Sequence, residues 1–138
     1  MVCVVVLAGC GGTRSDLAKV RGQVKLDGQP LAGAQVQFVP QGGKGVVSLG
    51  RTDDQGRYEQ MASRSAEGAS VGVNQVKITT YEIEDNGGKL TPVPERVPTK
   101  YNAATELTVT VEPGSNNFDF ELKSAGGKVV QESAKRLQ

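Results

Sequence analysis

The feature that most constrains this chain is a two-residue rhythm that keeps returning between turns. Val20, Gly22, Val24 and Leu26 alternate with Arg21, Gln23 and Lys25. Ala34, Val36 and Phe38 alternate with Gln35 and Gln37, Leu107, Val109 and Val111 with Thr108 and Thr110, and Phe118, Phe120 and Leu122 with Asp119 and Glu121. A period of two sends successive side chains to opposite faces, so each segment reads as a strand with one face inward. Residues 46–51, the segment begun by Tyr58, and residues 73–81 complete a set of about seven strands. In the last of these the apolar phase slips at Asn74-Gln75, which predicts a bulge.

Turn chemistry separates the strands. Asp27-Gly28-Gln29-Pro30, Asp53-Asp54-Gln55-Gly56 and Pro113-Gly114-Ser115-Asn116 combine local side-chain hydrogen bonding with glycine's positive φ. Residues 40–45 form a glycine-rich loop. Residues 82–98, with Asn86-Gly87-Gly88 and Pro92, Pro94 and Pro98, read as the longest break. These are the two candidate contact surfaces, because loops on a rigid scaffold commonly carry function. About seven short strands between turns predict an all-β fold, a β-sandwich.

A chain of 138 residues is one domain's worth. With Trp absent and three Phe, its core must be mostly Val, Leu and Ile. Lys and Arg number 16 against 15 Asp and Glu, with no like-charged block, so nothing in the pattern attracts nucleic acid. The chain has no His, which removes Ser-His-Asp triads, Cys-His pairs and the usual zinc sites.

Near the amino terminus an apolar run, residues 2–8, ends in Leu7-Ala8-Gly9-Cys10 and opens onto Gly11-Gly12-Thr13-Arg14-Ser15. The run is far short of the about 20 apolar residues a spanning helix needs. It has the shape of a secretory signal and its cleavage site. Leu7, Ala8, Gly9 and Cys10 resemble the lipobox of bacterial lipoproteins at all four positions. That resemblance implies a diacylglyceryl group on the Cys10 thiol, cleavage before Cys10 and acylation of the new terminus. No Lys or Arg precedes the run, as expected if translation starts further upstream. The expected organisation is a signal over residues 1–9, a tether over 10–18, the sandwich over 19–123 and a polar tail over 124–138. The second cysteine, Cys3, falls in the signal, so the mature domain would hold no disulfide. Gly11 is not the Asp that retains lipoproteins at the inner membrane, so the resemblance implies the periplasm-facing outer membrane.

A second resemblance covers residues 20–122. Val20-Arg21-Gly22-Gln23-Val24, then Gly28-Gln29-Pro30-Leu31-Ala32-Gly33-Ala34-Gln35-Val36, is similar to the opening of carboxypeptidase regulatory-like domains. Thr52-Asp53-Asp54-Gln55-Gly56-Arg57-Tyr58 resembles that family's hairpin. Val76-Lys77-Ile78 resembles a later strand, with Asn74 where an aromatic is usual. Pro98-Thr99-Lys100-Tyr101-Asn102 looks like the version in small bacterial lipoproteins. What the family implies is a transthyretin-like (prealbumin-like, Ig-like) seven-stranded Greek-key β-sandwich acting as an accessory or binding module without catalysis.

Three features bear on chemistry. Asp53, Asp54 and Glu59 offer carboxylates, but two are adjacent in a turn rather than spaced at alternating ligand positions. Gly42-Gly43-Lys44-Gly45 lacks the Walker spacing and the following helix. The purine-pathway hydrolases that resemble transthyretin rely on histidines, which this chain lacks. We therefore expect no catalytic residue, no metal and no cofactor. The expected partners are the membrane, through lipid on Cys10, and an envelope protein or glycan. One alternative is a carbohydrate-binding module, for which Tyr81 and Tyr101 are the aromatics near loops. An envelope hydrolase is a further alternative, opposed by the missing His.

Overall fold

The computed structural model describes residues 16–125. Strands account for 55% of the described residues and helix for 3%, an all-β fold. All seven expected segments are strands: β1 (Leu17–Leu26), β2 (Gln35–Pro40), β3 (Ser48–Arg51), β4 (Arg57–Glu59) with its continuation β5 (Met61–Ser63), β6 (Gly72–Thr79), and, after the hairpin β7 (Glu82–Asn86) and β8 (Lys89–Val93), β9 (Thr108–Val111), then β10 (Ser115–Asn117) with β11 (Phe120–Leu122). β1 begins at Leu17, two residues inside the expected tether, because Leu17 and Ala18 pair with Ser70 and Ala69.

Two sheets face each other. In the short sheet β1 is central, antiparallel to β4 on one side and parallel to β10 and β11 on the other. In the broad sheet the order is β9-β6-β2-β3-β5. β4 and β5 belong to different sheets, so the chain changes sheet at Gln60. That side chain is fully buried, and its Nε2 donates to Ser48 Oγ at 3.1 Å. A Cβ on Gly50 would lie 2.3 Å from Gln60 Oε1, so a residue without a side chain stands opposite the corner.

The core follows the inward phase read from the sequence. Val20, Val24, Ala34, Val36, Phe38, Val111, Phe120 and Leu122 are all buried. The three phenylalanines and Tyr58 tie the sheets together. Phe38 of the broad sheet meets Phe118 and Phe120 of the short one at 6.1 and 6.4 Å between ring centroids, and Tyr58 stacks on Phe120 at 6.2 Å.

Three local expectations are corrected. The bulge at Asn74-Gln75 is absent: the β2–β6 and β6–β9 registers run without a shift through both residues. Asn74 instead takes an inward position, fully buried, and its Nδ2 donates to Ser70 O and Gly72 O. A polar residue at a core position looked like a change of phase. Residues 82–98 are likewise no simple break. β7 and β8 pair antiparallel from Glu82 with Val93 to Asn86 with Lys89. The turn is Gly87-Gly88, with φ of +68° and +92°, the left-handed pair that a two-residue hairpin turn favours. Pro92 is tolerated because β8 is an edge strand. The third strand also starts later than expected, at Ser48, leaving Val46 and Val47 exposed ahead of it.

Candidate functional site

β1 projects Arg21 and Gln23 outward from the middle of the short sheet. The register sets Glu59 opposite Arg21 and Arg57 opposite Gln23 on the β4 side, and Asn117 opposite Arg21 on the other. These residues line an open groove of about 610 Å³ together with Asp119, Asp53, Arg51 and the edge of Tyr58. That size falls within the range of small-ligand sites. Its walls are planar hydrogen-bonding groups, with no Ser, Thr or Cys hydroxyl or thiol among them.

The floor of the groove is rigid. Between β10 and β11, Phe118 N donates to Arg21 O at 2.9 Å, and Tyr58 Oη donates to Phe118 O at 2.5 Å. A Cβ on Gly22 would lie 1.9 Å from that carbonyl oxygen. Next along, the Asp119 carboxylate takes a place in the ladder: its Oδ1 accepts Gln23 N at 2.9 Å and Asn117 Nδ2 at 3.1 Å. Burial, then the nearby Asp119 charge, raises the Tyr58 phenol above its ordinary value, so it stays a donor.

Several charges around the groove are already engaged. Asp53 Oδ1 accepts Arg57 N and Gln55 N at 3.0 and 2.8 Å, and those backbone donors hold its carboxyl below the usual range. Arg51 grips Glu82 of the hairpin through both guanidinium nitrogens, Nη2 to Oε2 at 2.6 Å. Its hydrogen bond lowers the Glu82 carboxyl. Arg51 and Glu82 form the ion pair found among the described residues, and Arg21 and Arg57 form none there.

The two candidate loops lie at opposite ends of the sandwich. Pro40 pairs with Asn74, Gln41 N donates to Val73 O, and Val46 N donates to Ser70 Oγ. That end also receives the incoming chain, since Val71 N donates to Asp16 O at 2.7 Å. The hairpin springs from the other end, where Gln35 pairs with both Thr79 and Arg51. Its base is held by Glu95, which is buried. The carboxylate accepts from Thr79 Oγ1, Thr80 N (2.7 Å), Thr80 Oγ1 (2.8 Å), Val97 N (3.0 Å) and Arg96 N (3.2 Å). Burial raises this carboxyl, but the hydrogen bonds from Thr79, Thr80 and Val97 outweigh it and leave it below the ordinary value.

Cys10 and its neighbours Leu7, Ala8 and Gly9 lie outside the described residues. Of the two loop-side aromatics, Tyr101 is half-buried against the core, and its Oη accepts Lys123 N. Tyr81 is half-buried and lines a small depression with Gly33, Gln35, Arg51, Glu82 and Ile83. Asp53 serves the turn and Glu59 faces the groove, and among the described residues no cluster of three or more His, Cys, Asp or Glu could hold a metal. The groove was missed in the sequence. Outward positions on three strands are visible there, but their adjacency is not.

No family model matches this chain, and no curated protein matches it. Among solved structures it is similar to a 9R-lipoxygenase from Cyanothece PCC8801, at 12% identity and a TM-score of 0.45, over 87% of this chain and 20% of the enzyme. The chain thus spans about a fifth of that protein's length, and no residue role is carried over from it.

Proposed function

We propose that this chain is a lipid-anchored, non-catalytic module of the cell envelope, held at the periplasmic face of the outer membrane, that binds a polar partner. The observation that carries the binding role is the rigid groove around Arg21, Arg57, Glu59 and Asn117, where two guanidiniums stand outside any ion pair among the described residues. Guanidiniums in that state are ready to take carboxylates or hydroxyls of a partner in forked hydrogen bonds. Support for the anchor is the Leu7-Ala8-Gly9-Cys10 motif, six residues ahead of Asp16. The resemblance to carboxypeptidase regulatory-like domains favours an accessory role. The absence of His from the sequence, and of Ser, Thr or Cys from the groove lining, speaks against hydrolysis through an acyl-enzyme. The test is capture from envelope membranes with the lipidated chain and with an Arg21→Ala, Arg57→Ala variant. A partner retained by the first and lost by the second is expected. Identical retention by both would overturn the groove as the contact.

The planar polar lining also suits a glycan, and Tyr81 beside Arg51 supplies a ring edge near the hairpin. A glycan array run with the folded protein discriminates: binding lost in the same double variant favours sugar over protein.

A further inference from the structure

We propose that the end of the sandwich formed by residues 40–47 and 70–73 lies against the bilayer surface, so that phospholipid is the partner of that loop. This inference rests on the lipid anchor at Cys10. Four valines crowd that end and remain open to solvent: Val46 (39% exposed), Val47 (42%), Val71 (37%) and Val73 (49%). They sit on two segments joined by Val46 N to Ser70 Oγ and Gln41 N to Val73 O. Asp16, the first described residue, is bonded to Val71 at the same end. Cys10 is six residues before Asp16, so the chain between them reaches at most about 21 Å. That reach is shorter than the about 33 Å that β1 spans, so an anchored protein cannot set its opposite end against the membrane. Exposed apolar side chains held that near a bilayer gain by entering its interface. Lys44 in the same loop adds a cation, which favours anionic headgroups. β1 runs away from the lipid, and the hairpin, which follows β6, stands at the far end, free for a second partner.

The chain has no Trp, so a single introduced indole reports position without background. The lipidated full chain carrying Val46→Trp, with Val71→Trp as a second reporter, is reconstituted into vesicles of phosphatidylethanolamine and phosphatidylglycerol with brominated acyl chains. A Leu90→Trp variant reports the distal hairpin, and strand-rich circular dichroism establishes folding for each. The expected result is a blue shift and loss of emission at positions 46 and 71, with neither at 90. Vesicle flotation with all three indoles equally unquenched would overturn the orientation while leaving the anchor in place. Failure to float would remove the anchor and this orientation with it.

Discussion

The hydroxyl of Tyr58 donates to the carbonyl oxygen of Phe118 across the one position on β1 that has no side chain, Gly22. Strand β1, its antiparallel neighbour and the returning last strand are locked at that point, directly beneath Arg21 and Gln23. Tyr58→Phe removes one buried donor and should cost about 1–2 kcal/mol in urea unfolding. Gly22→Ala forces the last strand away from β1 and should cost about 3 kcal/mol or more. The order of the two is the informative result: a tyrosine change that exceeds the glycine change would contradict this packing.

Glu95 ties the hairpin base to pH. Its carboxyl lies lower in the folded protein than in the unfolded chain, so its contribution is complete above about pH 4.3 and is lost as pH falls through the folded value. Glu95→Gln should cost about 2 kcal/mol at neutral pH and make stability less steep with pH on the acid side. Equilibrium unfolding across that range measures both. Amide exchange should quicken in residues 82–93 before it quickens in β2 or β6.

Arg51 and Glu82 join the sandwich to the hairpin through an exposed pair. Exposed pairs contribute little, so Glu82→Gln should cost less than about 1 kcal/mol, and the coupling in a double-mutant cycle with Arg51→Ala should shrink further in salt. A large, salt-insensitive coupling would contradict the exposure of this pair.

The hairpin turn requires left-handed backbone at both glycines. Gly87→Ala or Gly88→Ala should each loosen the hairpin by about 1 kcal/mol, read as faster amide exchange in β7 and β8 with the core strands unchanged. Space does not oppose either change, since an added Cβ meets nothing within 4 Å at either position.

Much of the double sheet was legible because burial and the two-residue period coincide on β1, β2 and the last strands. The strand that holds Tyr58 likewise follows the Asp53 and Gly56 turn, beginning one residue earlier than expected, at Arg57. Asn74 was misread for a physical reason: periodicity reads polarity as outward, and this amide is buried because Ser70 and Gly72 carbonyls accept its protons. The hairpin was obscured because three prolines suggested irregular chain, although Asn86-Gly87-Gly88 already carried the turn signal. Glu95 stands between Pro94 and Arg96, and no local pattern marks a carboxylate that gathers Thr79, Thr80 and Val97. The groove depends on β1 lying between β4 and the last strand, contacts separated by 34 to 96 positions that alternation does not encode.

The placement of the whole molecule turns on the chemistry of one sulfur. Intact-mass analysis of the protein purified from the membranes of its native host tests it most directly. The expected species begins at Cys10, lacks residues 1–9 and carries a diacylglyceryl group with an amide-linked acyl chain; Cys10→Ala should abolish both the cleavage and the lipid. A chain that retains residues 1–9 and bears no fatty acid would contradict it.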